Sequence, residues 1–310
     1  MMNYTDMHCD TALAIYNNNS RLKKNSLHID IEKAKNFRRY SQIFAIWSEN
    51  DKEDDVNYEN FFKTRDYFLE NLCENNIVLC KTGEQYRESI EKNLNSAILA
   101  VEGGKLISDD LSRLDALYKN DVRIFTLVWN GMCAIGGAFN TSEGLTDFGK
   151  KAVAKLNELD MIIDVSHSSE KMIYETLEIT TKPIIASHSN SKSMWNHNRN
   201  LTDEQFQQIK KLGGIVGISL CRPHVADDSD GNAVGIKDII RHIDYYLALG
   251  GEDVVCFGCD FDGAPLVDGI GGLGDMAKFI GEFEKIGYNE ALIRKIMYGN
   301  ADNFIINNLK

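Results

Sequence analysis

The stretch MIIDVSHSSEKMIYETLEITTKPIIASH, residues 161–188, holds two short apolar runs with a helical pattern between them. The runs at 161–166 and 183–187 have the near-continuous apolar character of strands buried on both faces. The segment between them opens with serines and an acidic residue, which favours a helix start. Each run leads directly into a histidine, His167 or His188. We therefore predict two buried strands, joined by a helix, that each place an imidazole at the carboxyl end.

The same alternation extends over all 310 residues. Six further apolar runs lie at 3–8, 41–48, 96–102, 122–129, 214–220 and 254–260. Helical spacing of apolar residues occurs at 58–72, 111–121, 149–160, 168–179, 202–214 and 236–251. Eight strands alternating with helices over this length is the count of a (β/α)8 barrel. We therefore predict the α/β class, with one TIM-barrel domain over residues 1–310.

Two local patterns add detail to this assignment. Thr202 and Gln205 have the spacing of a capping box, so a helix is expected to begin at Thr202. The acidic and polar segment 49–57 is predicted to be a solvated loop after the second strand, close to the barrel mouth.

Five side chains that commonly bind metal ions lie where predicted strands end. They are His8 and Asp10 on the first strand, Glu102 on the third, His167 on the fifth and His188 on the sixth. In such barrels the reacting groups come from the carboxyl ends of the strands. Five ligands exceed the three of a mononuclear catalytic zinc site, and a carboxylate bridging two ions accounts for the excess. The convergence predicts a two-metal site at the barrel rim.

Each of these residues alone has a simpler explanation. A single histidine at a strand end is more often structural or exposed than a ligand, and HxD alone is a weak motif. Glu102 alone could serve only to hold the turn at Gly103 and Gly104. The metal interpretation depends on all five residues occurring together.

Further candidates lie near other predicted strand ends. Asp260 and Asp262 end the eighth strand, where one could act as a proton shuttle or merely hold a neighbouring group. Arg199 follows the sixth strand and could bind a carboxylate in bidentate fashion, although an arginine in a polar loop is usually solvated. The remaining histidines His28, His197 and His242 are predicted to lie on the surface, and His224, which follows the seventh strand, could face the barrel mouth.

The composition excludes several classes of protein. The net charge of −12 argues against a nucleic-acid partner and leaves no basic surface for anionic lipid. No apolar run approaches the ~20 residues that span a bilayer, so no membrane partner is predicted. The seven scattered cysteines indicate reduced thiols, and Cys256 and Cys259 are expected on opposite faces of one strand. With no signal-peptide pattern at the N-terminus, the predicted location is the cytoplasm.

The motifs together resemble the membrane dipeptidase (renal dipeptidase) family of zinc metallopeptidases, in its bacterial form. The matching pieces run almost from end to end in the family's order: HCD, AVEGG, RIFTLVWN, GLTDFGKKAVAKLNELDMIIDVSHSS, PIIASHSN, NRNLTDEQ and GCDFDG. The resemblance implies a barrel of the metal-dependent hydrolase type, two Zn²⁺ per chain and a homodimer. It also implies hydrolysis of dipeptides, including those with a C-terminal D-residue, by a metal-bridging hydroxide.

The resemblance also implies a role for each candidate residue. His8 and Asp10 would hold one zinc ion, His167 and His188 the other, and Glu102 would bridge them. Asp260 would transfer the proton, and Arg199 would bind the carboxylate of the substrate. The animal enzymes have a histidine at the end of the fourth strand, where this chain has Trp129. An aromatic side chain stabilises less charge, so Trp129 is expected to contact the substrate and to alter substrate range and rate.

Two functions other than dipeptide hydrolysis could use a similar ligand pattern. Another hydrolase on the same scaffold, such as a lactonase, phosphotriesterase or deaminase, usually has HxH on the first strand and often a bridging lysine. This chain has His8 with Asp10, and Glu102 on the third strand, which disfavours those enzymes. A non-catalytic metal-binding protein would be expected to lose a ligand or the proton shuttle, and none is missing.

Overall fold

The computed structural model describes residues 1–49 and 51–310, so Asn50 of the predicted loop 49–57 lies outside the described residues. The strands are β1 (Tyr4–Cys9), β2 (Tyr40–Trp47), β3 (Val78–Leu79), β4 (Ser96–Glu102), β5 (Val122–Thr126), β6 (Ile162–Asp164), β7 (Ile185–Ala186), β8 (Ile215–Ile218) and β9 (Val255–Phe257). Eight of them coincide with the eight predicted runs. Only the two-residue strand β3 was not predicted.

The eight predicted strands close into a parallel barrel. β1 pairs with β2 on one side and with β9 on the other. β2 pairs with β4, and β4 to β9 then pair in sequence order, with β3 added beside the start of β4. The predicted (β/α)8 TIM barrel is thus confirmed, and its closure brings the carboxyl ends of all eight strands to one rim.

Helices surround the barrel. They are α1 (Thr11–Asn17), α2 (Ile31–Ala34), α3 (Asp54–Glu74), α4 (Gly83–Glu91), α5 (Ser112–Lys119), α6 (Asp147–Glu158), α7 (Glu170–Ile179), α8 (Asp203–Lys211), α9 (Arg222–Val225), α10 (Ile236–Ala248), α11 (Ala277–Lys285), α12 (Glu290–Arg294) and α13 (Asn300–Asn308). The capping box of Thr202 and Gln205 starts α8 as predicted. The predicted loop 49–57 is too long, because Asp54 and Asp55 form the first turn of α3, where acidic residues favour the helix dipole.

Two apolar layers hold this architecture together. Each barrel strand contributes at least one side chain to the cluster that fills the lumen, namely Met7, Ile43, Ala45, Ile98, Ala100, Ile124, Ile162, Ile185, Ile215 and Cys256. A larger cluster packs the outer strand faces against the helices, and Cys259 belongs to it, so Cys256 and Cys259 do face opposite ways. A filled lumen leaves the rim as the place for ligands. Within residues 1–49 and 51–310, no helix has the length and apolar character needed to cross a bilayer.

An irregularity in β1 turns its end toward the rim. The pairing of β1 with β2 slips by one residue between Asp6 and Cys9, which is a β-bulge. Because Met7 points into the lumen, strict alternation would direct His8 outward to the helices. The buried carboxylate of Asp6 accepts the His8 N–H at 3.0 Å and the Cys259 N–H at 3.2 Å. Asp6 therefore holds the bulge that brings His8 inward.

Candidate metal centre

His8 lies among three carboxylates at the end of β1. Its Nε2 is 3.6 Å from Asp10 Oδ2, 3.4 Å from Glu102 Oε2 and 4.0 Å from Asp260 Oδ1. All four side chains are buried, with His8 only 1% exposed. This group of an imidazole with converging carboxylates has the ligand types and spacing of a metal site.

A second group forms on the other side of Glu102. Glu102 Oε1 is 2.8 Å from His167 Nε2 and 3.5 Å from His188 Nε2, and the two imidazole nitrogens are 3.0 Å apart. Glu102 therefore turns one oxygen to His8 and the other to His167 and His188. A carboxylate placed in this way between two ligand groups is the arrangement that bridges two metal ions.

The nitrogen and oxygen atoms of these side chains are better placed to bind a metal ion than to form hydrogen bonds with one another. His8 Nε2, Asp10 Oδ1 and Glu102 Oε1 are buried and, among the described residues, have no hydrogen-bond partner. Glu102 Oε1 is close to His167 Nε2, yet the two atoms are not aligned for a hydrogen bond. Buried polar atoms without partners are costly, and coordination of a cation would satisfy them.

The pKa shifts of the buried acids and histidines also favour binding of a cation at this site. Burial and the neighbouring Glu102 charge raise the pKa of Asp10 to about 8, and burial raises the pKa of Asp260. Burial lowers the pKa of His188 well below its ordinary value, which keeps the ring in the neutral form that binds metals. For His8, burial lowers the pKa, but the carboxylates of Glu102 and Asp10 outweigh this effect and raise it overall.

The backbone is strained where the site residues leave the strands. His167 has φ +69°, Asp260 has φ +63° and Asp262 has φ +66°, all in the left-handed region that non-glycine residues rarely adopt. Such conformations cluster at functional sites. These turns, together with the bulge in β1, aim the side chains at one point.

The predicted substrate-site residues line one cavity of about 270 Å³. Asp10, Glu102, Trp129, His167, Arg199 and Asp260 all belong to its wall. His8 and His188, each 1% exposed, are buried at the rim close to Glu102. The structure therefore brings all of the predicted site residues together.

Arg199 is a buried cation facing this cavity. It is 4% exposed, and its guanidinium lies 5.6 Å from the centre of the Phe139 ring. Its Nε and Nη2 find no hydrogen-bond partner in the part of the chain that the structure describes. Burial lowers the pKa of Arg199, and the carboxylates of Asp260 and Glu102 oppose this effect. A guanidinium with free donors in a cavity is suited to an anionic group of a ligand.

The two acids of the GCDFDG motif have different roles in the structure. Asp262 accepts the hydroxyl of Thr11 at 2.6 Å and the backbone N–H of His28 at 2.7 Å. These bonds tie the segment after β9 to the start of α1 and to the segment before α2, and they engage both oxygens of Asp262. Both acids line the cavity, and Asp260 Oδ1 lies 4.0 Å from His8 Nε2. Asp260 is the candidate for proton transfer, because both oxygens of Asp262 are already hydrogen-bonded.

A whole-chain comparison identifies the family of this architecture. The model of the membrane dipeptidase family, peptidase family M19, matches residues 1–304. The chain belongs to the membrane dipeptidase family. It is therefore a metallo-dipeptidase, a hydrolase that depends on metal ions.

Individual relatives of this M19 dipeptidase agree with the family assignment. An uncharacterised Klebsiella pneumoniae protein from the pqqA 5′ region is 31% identical over 72% of this chain and 85% of its own length. Mouse Dipeptidase 3 is 29% identical over 66% of this chain, and the match spans only 43% of the mouse protein. The crystal structure of a Rhodobacter sphaeroides metallopeptidase, liganded with a phosphinate mimic of L-Ala-D-Ala, has a TM-score of 0.92 and 25% identity. It covers 100% of this chain and 99% of its own.

Several residues that line the dipeptidase site were not predicted. Trp47 is the last residue of β2 and packs against Trp129 in a tilted arrangement, with ring centres 4.6 Å apart. The strand-end rule that found the ligands could have found Trp47 as well. By contrast, His224 was a candidate for the barrel mouth from its place after the seventh strand, and it does line the cavity. Burial lowers its pKa to about 2, so its ring is neutral. Phe139 lies outside the regular elements, and its position in sequence carries no signal of its role.

The surface prediction for His242 is wrong. His242 is 1% exposed, on the barrel side of α10. Its Nδ1 accepts the Ser191 N–H at 3.1 Å and its Nε2 donates to the Val225 carbonyl at 2.7 Å. With both ring nitrogens satisfied, an imidazole is readily buried. His28 and His197 are partly buried rather than fully exposed.

Replacement of Gly263 by Ala is expected to damage the metal centre while the barrel still folds. A Cβ at Gly263 would overlap Asp10 Oδ2 and lie 2.6 Å from Asp260 Oδ1, so both carboxylates must move. A displacement of about 1 Å costs about 10²-fold in rate, and we expect that loss in kcat/KM together with weaker metal binding. Gly281→Ala is the matched control, because its Cβ would meet nothing within 4 Å. Equal activity of both variants would contradict the tight packing of Gly263 on the site.

Proposed function

We propose that this chain is a zinc-dependent dipeptidase with two zinc ions, active on dipeptides that include those with a C-terminal D-residue. The observation that carries the proposal is the position of Glu102, whose two oxygens face different ligand groups. Beside it lies the buried Arg199, whose Nε and Nη2 have no partner among the described residues. His8 and Asp10 would hold one ion, and His167 and His188 the other. When bound, the two ions supply an activated water at neutral pH and polarise the scissile carbonyl.

Arg199 would bind the carboxylate of the substrate. Its free guanidinium donors lie in the same cavity as the metal ligands, so a bound carboxylate places the peptide bond near them. The cavity, about 270 Å³, is at the small end of ligand pockets, which are about 300–1,000 Å³. A small cavity with a fixed carboxylate clamp favours dipeptides over longer peptides.

Trp129 would form the wall against the substrate. It packs against Trp47, and its ring centre lies 6.5 Å from that of His167. This places an apolar surface beside the site where the animal enzymes have a histidine. The L-Ala-D-Ala mimic bound by the Rhodobacter sphaeroides metallopeptidase supports acceptance of a C-terminal D-residue. The homodimer, the cytoplasmic location and the single domain over 1–310 stay predictions.

Asp260 would take the proton of the attacking water and deliver it to the leaving amine. Replacement of Asp260 by Asn removes this exchange but keeps the size of the side chain. We expect zinc content to be retained and kcat to fall by about 10²- to 10⁴-fold, as is typical of general acid–base groups. Asp262→Asn, which loses structural bonds instead, is expected to lower thermal stability more than Asp260→Asn does. Turnover retained in Asp260→Asn would refute the assigned role.

The proposal is tested by amine release from a panel of peptides. Zinc-reconstituted protein and a chelated control are assayed on L,L-dipeptides, L,D-dipeptides, dipeptide amides and tripeptides. We expect chelator-sensitive cleavage of both kinds of dipeptide and little or no cleavage of tripeptides. Protein with two zinc ions per chain that cleaves none of these substrates would exclude the dipeptidase activity and favour lactones or phosphoesters.

A further inference from the structure

Asp164 lies beneath the metal centre and joins three strand ends. It is the last residue of β6 and is 1% exposed. Its Oδ1 accepts the backbone N–H of Ser166 at 3.0 Å and of Ser187 at 2.9 Å. Its Oδ2 accepts the hydroxyls of Thr126 and Ser187, both at 2.6 Å. Four donors fill the acceptor positions of this carboxylate, so it acts only as an acceptor.

The hydroxyl of Ser187 connects Asp164 to His188 and decides which ring nitrogen of His188 carries the proton. Ser187 has one hydroxyl proton, and its 2.6 Å contact with the carboxylate of Asp164 requires that proton. Its oxygen also lies 2.7 Å from His188 Nδ1, so this nitrogen must donate to it. A neutral imidazole with its proton on Nδ1 has a lone pair on Nε2. That lone pair faces Glu102 and His167, where a metal ion would be held.

The same carboxylate also fixes the backbone on which both histidines sit. The Ser166 hydroxyl accepts the His188 N–H at 3.1 Å, and Ser166 directly precedes His167. The backbone around Ser187 has little freedom, because a Cβ at Gly217 or Gly258 would overlap the Ser187 carbonyl oxygen. Asp164 thus controls His188 through Ser187 and reaches His167 through Ser166.

We infer that Asp164 and Ser187 are positioning residues that set the tautomer and orientation of His188 for metal binding. The inference rests on the proposed role of His188 as a metal ligand, for which Asp164 and Ser187 prepare the ring. Partners of metal-binding histidines commonly fix the ring in this way, and their loss costs about 10- to 100-fold in metal affinity or activity.

The first test compares Ser187→Ala with Thr126→Val in the full chain. Both remove one hydroxyl that donates to Asp164 Oδ2, but only Ser187 contacts His188. Zinc affinity is measured by competition with a chelator. We expect Ser187→Ala to weaken one of two zinc sites about 10- to 100-fold, and Thr126→Val to change neither site by more than about threefold. A merely structural role would instead lower the stability and zinc affinity of both variants alike.

The second test uses Asp164→Asn and the ring nitrogen shifts of His188. The amide of Asn can donate to Ser187, which frees the Ser187 proton for His188 Nδ1 and moves the ring proton to Nε2. Nitrogen-15 NMR of the zinc-free protein should show the Nδ1–H tautomer in the wild type and the Nε2–H tautomer in Asp164→Asn. A wild-type Nε2–H tautomer, or ring nitrogen shifts in Asp164→Asn that equal those of the wild type, would overturn the inference.

Failure of the proposed metal role of His188 and failure of the positioning role of Asp164 and Ser187 give different results. If His188→Ala binds zinc as tightly as the wild type, the proposed metal role of His188 is wrong, whatever the tautomer. If the wild type binds two zinc ions but Ser187→Ala and Asp164→Asn bind them equally well, only the positioning role is wrong.

Discussion

Glu102→Gln is expected to lose at least one of two zinc ions and about 10³-fold or more in kcat/KM. Glutamine keeps the shape of the side chain but replaces one ligating oxygen with an amide group that cannot bind a cation. Since Glu102 turns one oxygen to His8 and the other to His167, either amide orientation disables one half of the site. A metal ion contributes several kcal/mol to catalysis, and each ~1.4 kcal/mol is about tenfold in rate.

The measurement combines zinc per chain with steady-state hydrolysis of a dipeptide. Glu91→Gln is the matched control, because it makes the same chemical change at an exposed position at the end of α4. It should behave as the wild type in both measurements. If Glu102→Gln kept two zinc ions and full turnover, a bridging carboxylate would be excluded and the five-ligand arrangement would have to be abandoned.

Arg199→Met is expected to stabilise the protein while it removes most of the activity. Arg199 is a buried cation whose Nε and Nη2 lack partners among the residues described. Removing such a charge should raise the free energy of unfolding by about 1–3 kcal/mol, because a buried polar group without a hydrogen-bond partner costs about that much. Loss of a buried charged partner for the substrate carboxylate costs about 2–5 kcal/mol. We therefore expect kcat/KM for dipeptides to fall by about 10²- to 10³-fold.

Dipeptide amides provide the control for this prediction. They have no carboxylate for Arg199, so the wild type and Arg199→Met should cleave them at similar rates. Arg199→Lys, which keeps the charge but not the two-pronged geometry, should lie between the two on dipeptides. The same proportional loss on amides as on free dipeptides, or a lower unfolding free energy, would show that Arg199 supports the fold and does not bind the carboxylate.

Much of the site followed from local sequence patterns. Ligands at strand ends could be located because parallel barrels collect the carboxyl ends of their strands at one rim. His167 and His188 each follow such a run, and Glu102 is the last residue of β4. The capping box at Thr202 was equally visible, since it depends on residues only three apart.

The choice between Asp260 and Asp262 could not be made from sequence. Their motif is symmetrical in composition, and both adopt positive φ. The choice is made by Thr11 and His28, which lie more than 230 residues away in the chain and bind Asp262. The unpaired state of Arg199 is likewise decided by what surrounds it, because a polar loop around an arginine usually means solvation.

The barrel could be predicted from local patterns, because apolar runs and helical spacing repeat along the whole chain, and the same patterns located the ligands at the rim. The direction of their side chains depends on tertiary contacts. Alternation alone would have directed His8 away from the site, and a bulge fixed by Asp6 brings it in. That bulge depends on pairing with β2 and on contact with the end of β9, and the tautomer of His188 depends on Asp164 across a strand boundary. Such contacts join distant segments, so no local period in the sequence records them.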